Sequence, residues 1–249
     1  MVEAQTLSKV FRAGGKDEVR AVDEVSFCAR PGQITGLLGV NGAGKTTLMR
    51  LLSTVLRPTG GSGTVQGYNI LTQAADVRQN LGFLSTSTAL YGRLTGREMV
   101  DTFAGLYGYS GAERKTRVDR ALARVDAEPF CERLCDTLST GQKQRISIAR
   151  ALVHDPPVLL FDEPTAGLDI LSAQTVLEFM ESARAEGRTV ILSTHIMSEV
   201  ERLCDHVVVV HGGIKRAEGS TEALKALTGF DTMERAFLSL VRPTVEVSA

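Results

Sequence analysis

Three glycines, a lysine and two threonines fall within Gly39-Val40-Asn41-Gly42-Ala43-Gly44-Lys45-Thr46-Thr47, at the spacing G-x-x-x-x-G-K-[ST]. Residues of these types in this order suit phosphate recognition. Glycines let the main chain wind around phosphate oxygens with its N–H groups inward, a following helix N-terminus adds partial positive charge, and Lys45 is a mobile cation for β and γ phosphates. Thr46 is then the expected Mg²⁺ ligand, and Thr47 a donor to an α-phosphate. A second pair of acids, Asp162 and Glu163, ends the apolar run Val158-Leu159-Leu160-Phe161. A strand ending in Asp-Glu is by itself an ordinary solvated strand end. Paired with a phosphate loop upstream, Asp162 is expected to hold Mg²⁺ directly or through water, and Glu163 to polarise an attacking water as general base. The substrate these residues imply is a Mg²⁺-bound nucleoside triphosphate.

Such a loop works only between a strand and a helix, and the flanking sequence supplies both. Ala21 to Phe27 roughly alternates, Pro31-Gly32 makes a turn, and Ile34-Thr35-Gly36-Leu37-Leu38 reads as a short buried strand. Leu48, Leu51, Leu52 and Val55 follow at helical spacing, stopped by Arg57-Pro58-Thr59-Gly60-Gly61. A short strand is expected around Thr64 to Gly67, then a mainly helical, charged stretch from about Arg93 to Asp136 that reads as an inserted lobe. Ile146, Ala149, Leu152 and Val153 give one face of another helix, ended by Asp155-Pro156-Pro157. Strands at Val158–Phe161, Thr189–Ser193 and Val207–Val210, with a helix near Ala173–Glu186, alternate as β and α, which argues for a parallel sheet packed by helices.

Leu138-Ser139-Thr140-Gly141-Gln142, opening that helix, resembles the LSGGQ signature of ABC ATPases with one glycine replaced by threonine. With it the chain is similar to an ABC transporter ATP-binding subunit over nearly its full length. The ordered matches are the phosphate loop (Walker A), the signature, the Asp162-Glu163 strand end (Walker B), an Ala166-Gly167-Leu168-Asp169 segment like the family's D-loop, and His195 in the H-loop position. The resemblance implies one ABC ATPase domain over residues 1–249. Its α/β fold is the P-loop NTPase of ABC type: a RecA-like parallel-sheet core, an N-terminal antiparallel β subdomain, a helical subdomain at about 86–140 and a tail helix at about 231–241.

It implies ATP and Mg²⁺ as ligands, and a head-to-tail dimer in which Ser139, Gly141 and Gln142 of one subunit cover the γ-phosphate held by the other. Read locally, Ser139 is also a helix N-cap. The resemblance gives His195 a γ-phosphate contact, puts Asp169 in the D-loop, and places Phe11 where the family stacks an aromatic on adenine; the alternatives for Phe11 are core packing, or Phe27 in that role. The run Ser85-Thr86-Ser87-Thr88 lacks the family's Q-loop glutamine, and Thr86 aligns with that position. This loop, with Leu90-Tyr91-Gly92-Arg93-Leu94-Thr95 and a tail resembling that of ATPases serving ABC-2-type exporters, is closest to the NatA-like sodium-efflux branch. The implied partner is an ABC-2-type membrane permease, and the implied place the cytoplasmic face of the membrane.

Composition bounds the rival readings. A net charge of -1 lacks the basic excess of a protein devoted to nucleic acid, so no nucleic-acid partner is expected. The longest apolar runs fall far short of the roughly 20 residues that cross a bilayer, and Met1–Gln5 carries no secretory h-region, so a cytoplasmic protein that borrows its membrane part is expected. Cys28, Cys131, Cys135 and Cys204 make no disulfide framework; Cys131 and Cys135 share helical i,i+4 spacing but lack further ligands nearby, and all four are expected to be buried thiols. A soluble ABC ATPase of ribosomes or DNA is disfavoured by the single cassette without sustained heptads, and a non-catalytic regulator by the presence of both Lys45 and Glu163. Export of a drug, lipid or polysaccharide is the alternative to sodium, because a phosphate-gripping domain carries no cargo pocket legible in sequence.

Overall fold

The chain alternates strands and helices, and a computed structural model describes residues 1–13, 17–85 and 89–242 of it. β1 (Val2–Ala13) and β2 (Asp17–Ala29) form a long antiparallel pair with Phe11 opposite Val19. β3 (Ile34–Leu38) runs through the glycine-rich loop into α1 (Lys45–Leu52). β4 (Gly60–Val65) and β5 (Tyr68–Asn69) complete a four-stranded antiparallel sheet in the order β2-β1-β4-β5. After α2 (Ala74–Gln79) and β6 (Leu81–Leu84) come α3 (Gly96–Leu106) and α4 (Gly111–Ala123). The chain then alternates through α5 (Thr140–Leu152), β7 (Val158–Asp162), α6 (Ile170–Ala185), β8 (Thr189–Thr194), α7 (Met197–Leu203) and β9 (His206–His211). β10 (Ile214–Gly219), α8 (Thr221–Thr228) and α9 (Met233–Val241) end it. The second sheet has six strands in the order β10-β9-β3-β8-β7-β6, all parallel pairings except the β10–β9 edge.

The central strands read as unbroken apolar runs because both faces of this sheet are covered. Their two-residue period sorts side chains between two cores. Leu37, Leu160, Ile191, Val208 and Val210 meet α1 and the antiparallel sheet; Leu38, Phe161, Leu192, Val207 and Val209 meet the helices of the other face. The expected helix faces are present: Leu48, Leu51 and Leu52 on α1, and Ile146, Ala149 and Leu152 on α5, are all buried. α9 buries Met233 and Phe237, with Thr232 capping its first turn.

Three expectations need correction. Val55 does not lie on α1: the helix stops at Leu52, Thr54 turns the chain at φ 62°, and Val55 is left exposed. The helical stretch ends near residue 123 rather than 136, because Asp126 at φ 49° breaks it and the returning chain gives its carbonyls at Cys131 and Arg133 to the N–H groups of Arg97 and Gly96. Cys131 and Cys135 therefore share no helix, although both are buried, and Cys28 is exposed rather than buried. Sequence periodicity also passed over β1, β5, β6, β10, α2, α7 and α8, short or exposed elements apart from β1, whose alternation is broken by register shifts after Ala4, Leu7 and Lys9.

At the end of α5 the ring of His154 stacks on Tyr107 of the helical lobe, with centroids 3.8 Å apart, and its Nε2–H donates to the Leu81 carbonyl at 3.2 Å. Burial lowers this imidazole to about 4 from the usual 6.5, so between those values the unfolded chain binds the proton and the folded chain does not. Stability should accordingly fall as pH drops from about 6.5 towards 4, by up to about 3 kcal/mol from this group. His154→Gln keeps a donor for Leu81 but cannot titrate. Denaturant unfolding of both proteins at pH 7, 6, 5 and 4.5 should show a shallower pH slope for the variant; equal slopes would refute the assignment.

Candidate functional site

Strand β3 ends at Leu38, and the chain then turns through Gly39–Gly44 so that α1 begins at Lys45. No side chain caps α1, and no acid lies in its first turn, so the N–H groups of that turn remain for an anion. Gly44 sits at φ 108°, where a Cβ would come within 2.5 Å of the Ala21 carbonyl; the loop needs glycine there on both counts. Asn41, Gly42, Ala43, Gly44, Lys45, Thr46 and Thr47 line a cavity of about 470 Å³ with Ala21 and Glu163. Gly39 lies buried at the loop's base.

Lys45 is 4% exposed, and its ammonium donates to the carbonyls of Gly39 at 2.7 Å and Val40 at 3.2 Å. These contacts hold the charge at the cavity floor, 3.3 Å from Glu163 Oε1. The same carboxylate oxygen lies 3.4 Å from His195 Nδ1, so Glu163 is flanked by Lys45 and His195. Glu163 has left-handed backbone at φ 46°, a conformation that must be held from outside. Its N–H is held by the Ser193 carbonyl at 3.0 Å and hydroxyl at 3.2 Å, and the Gln144 amide on α5 donates to the next residue's carbonyl, at Pro164.

Asp162 is 1% exposed, and its Oδ1 accepts from Thr46 Oγ1 at 3.0 Å and Ser193 Oγ at 2.6 Å. Its Oδ2 is buried with no hydrogen-bond partner among the described residues. A buried carboxylate oxygen left bare costs free energy unless something binds it.

The signature residues stand elsewhere. Ser139 caps α5 through a reciprocal box: its hydroxyl accepts from the Gln142 N–H at 3.2 Å and its own N–H donates to Gln142 Oε1 at 3.0 Å. Gly141 is required by contact, since a Cβ there would collide with Ser172 Oγ. Ser172 in turn donates from its N–H and hydroxyl to Asp169, the cap of α6, and these bonds hold that carboxyl below its ordinary range. Signature and Asp169 thus form one corner, exposed at Ser139, Thr140 and Asp169, and none of its residues lines the phosphate cavity.

Phe11 is 40% exposed on β1, while Phe27 is packed in the core. Phe11 borders a shallow hollow with Lys9, Arg20 and Thr59. Lys9 lies over one face of the ring at 5.3 Å. Thr86 falls outside the described residues. Residue spacing missed Ser193 and Gln144 as supports of the acids; the only sequence signal for Ser193 is its place two residues before His195.

A family model described as "ABC transporter" matches residues 22–166, and one described as "AAA domain, putative AbiEii toxin, Type IV TA system" matches residues 133–201. The chain is 40% identical to the ABC transporter ATP-binding protein NatA of Bacillus subtilis, over 91% of this chain and 93% of that protein. It is 35% identical over 97% of its length to the probable multidrug ABC transporter ATP-binding protein YbhF of Escherichia coli, of which it spans 42%. Among solved structures it superposes on an ATP-binding subunit of an ABC transporter with TM-score 0.84, at 29% identity over 96% of this chain and 98% of that one. It matches a dimeric ATP-binding cassette in a post-hydrolysis state bound to ADP and Pi with TM-score 0.80, at 25% identity over 88% and 98% of the two chains. A phosphate loop facing a Walker B acid pair within this fold, together with similarity across almost all of NatA, makes the chain a member of the ABC transporter family, an ATPase that serves as a transporter's ATP-binding subunit.

Proposed function

We propose that this chain, as a single ATPase domain over residues 1–249, drives export of a small cation, Na⁺ first, by hydrolysing ATP at a site shared between two copies. The observation that carries the chemistry is the placing of one Glu163 oxygen between Lys45 and His195, with Lys45 and Glu163 both lining the phosphate cavity. Glu163 takes the proton of the attacking water, His195 orients that water and the γ-phosphate, and Lys45 with the N–H groups of α1 holds the β and γ phosphates. Phe11 offers its free face to adenine.

Mg²⁺ fits the donor set: Asp162 Oδ2 is a buried oxygen without a partner, and the Thr46 hydroxyl lies beside it on Oδ1. When bound with the nucleotide, the ion neutralises phosphate charge.

The dimer reading rests on the separation of the signature corner from the phosphate cavity of its own chain. Ser139, Gly141 and Gln142 frame a helix N-terminus suited to phosphate oxygens, and Asp169 shares its corner. A second copy turned head to tail would bring that corner over the first copy's γ-phosphate. The partner in the membrane is an ABC-2-type permease, on the resemblance of the Leu90-Tyr91-Gly92-Arg93-Leu94-Thr95 run and the tail around Phe237 to ATPases serving such exporters. Sodium is preferred for the cargo because the Ser85-Thr86-Ser87-Thr88 and Leu90-Tyr91-Gly92-Arg93-Leu94-Thr95 runs resemble the NatA-like sodium-efflux branch, and NatA itself matches at 40% identity over nearly the whole of both chains. A drug is the second reading, on the similarity to YbhF.

Glu163→Gln keeps the shape of the side chain and removes the base. It should retain ATP binding and lose about a hundredfold or more of kcat; near-normal turnover in the presence of the membrane partner would rule Glu163 out. Mixing Ser139→Arg with Lys45→Ala subunits should restore part of the ATPase activity, because only a mixed dimer contains one intact composite site. Mixed dimers shown to form but no more active than either parent would remove the case for action in trans. Co-reconstituting the chain with the membrane protein that purifies with it, and following radioactive sodium in vesicles, should show ATP-dependent flux. ATP-driven drug movement without sodium flux would replace the cargo and leave the motor reading in place.

A further inference from the structure

Glu199, on α7, is a 6% exposed carboxyl to which the proposed chemistry assigns nothing. It has no ion-pair partner among the described residues, and the side-chain groups bonded to it are two threonine hydroxyls. Thr165 Oγ1 donates to its Oε1 at 2.5 Å, and Thr194 Oγ1 donates to its Oε2 at 2.6 Å. Both threonines are buried, at 7% and 2% exposed. An apolar side chain would fill such a place at lower cost, since a buried carboxyl is tolerated only where its hydrogen bonds are made.

The two threonines belong to different elements. Thr165 comes after Glu163 and Pro164 in the loop beyond β7, and Thr194 is the last residue of β8, directly before His195. The Thr194 hydroxyl also accepts from the Ile196 N–H at 3.0 Å, closing the turn that presents His195, and its carbonyl accepts from the Gly39 N–H at 3.4 Å at the base of the phosphate loop. On the other side, Glu163 holds a left-handed backbone that its surroundings must impose. Ser193 fixes its N–H, and the two residues after it are held by Gln144, which binds the Pro164 carbonyl, and by the Thr165–Glu199 bond.

We propose that Glu199 is a positioning residue for ATP hydrolysis, a two-oxygen clamp joining the loop that carries Glu163 to the strand end that carries His195. The clamp keeps the Glu163 Oε1 to His195 Nδ1 distance near its 3.4 Å, so that both groups meet one water and one phosphate. It rests on the reading of Glu163 as the base and His195 as its neighbour. Glutamine replaces the carboxyl poorly, because its amide accepts at one end only, so one of the two hydroxyls would have to turn and accept, leaving its proton without this acceptor.

The test uses the full chain and measures kcat, KM and the calorimetric Kd for ATP, with the unfolding midpoint as a check on folding. Glu199→Gln should lower kcat by about tenfold to a hundredfold while KM and Kd stay within about twofold. Thr165→Val removes one hydroxyl at nearly constant shape and should lower kcat in the same way; Thr165→Ser, which keeps the hydroxyl, should recover most of the loss. Combining Glu199→Gln with Thr165→Val should cost little more than either alone, since both break the same clamp. If Glu199→Gln does not fold, the Thr165→Val and Thr165→Ser pair decides: slow and rescued supports the clamp, equal rates overturn it. Wild-type kcat in folded Glu199→Gln, or a fall in kcat matched by an equal loss of ATP affinity, would also overturn it. Glu163→Gln is run alongside: turnover retained there would defeat the base assignment, whereas its loss beside an unaffected Glu199→Gln would defeat the clamp alone.

Discussion

The parallel register of β3, β8 and β7 is the constraint on which the site depends. Leu38 pairs with Thr194, and Ser193 pairs with Asp162, so three strands end level with one another. Each then releases a different reactive segment from the same edge: the phosphate loop after Leu38, His195 after Thr194, and Glu163 after Asp162. Residues far apart in the chain meet because parallel strands place all their carboxyl ends at one side of the sheet, where the loops gather. A one-residue slip in any pairing would turn its apolar residues towards the wrong core, so the two cores lock the register that aligns the site.

Several polar groups at that edge, among them Lys45, Asp162, Ser193 and Thr194, are buried and hydrogen-bonded. Ser193 serves two acids at once, giving its hydroxyl proton to Asp162 and accepting from the Glu163 N–H. Thr46 ties the helix after the phosphate loop to Asp162, and Lys45 is held by the loop's own carbonyls. Asp162 Oδ2 has no hydrogen-bond partner among the described residues, and an unmet oxygen of this kind costs about 1–3 kcal/mol. At Asp162 the fold carries that cost in the position where a nucleotide-bound cation would offset it.

The signature corner obeys a different logic. Its capping box is complete within α5, and Gly141 is fixed by contact with Ser172, so the corner is structurally finished without the phosphate cavity. The cavity for its part is lined by the loop, Ala21 and Glu163, with no residue of the signature corner. Two separate half-sites in one chain fit the proposed head-to-tail association, and α5 links them because the Gln144 side chain reaches the loop behind Glu163.

Much of this was legible in the residues alone. Local chemistry made the phosphate loop legible, since its glycine torsions and helix start are written in consecutive residues, although distant groups such as the Thr194 carbonyl also hold it. The buried strands and the faces of α1 and α5 were equally plain, because burial on both sides or on one stripe leaves a period in the sequence. Only the tertiary structure decided which lone residues act together. Ser193, Gln144, Thr165 and Glu199 carry no pattern of their own; a serine, an amide, a threonine and a glutamate acquire their partners when β7, β8, α5 and α7 pack at one edge. The left-handed backbone at Glu163 belongs to the same class, as no local preference of glutamate favours it and the contacts around it hold it. Sequence by itself determines features that depend on neighbours in the chain, whereas hydrogen bonds between distant elements exist only once hydrophobic packing has set the register of the strands that bear them.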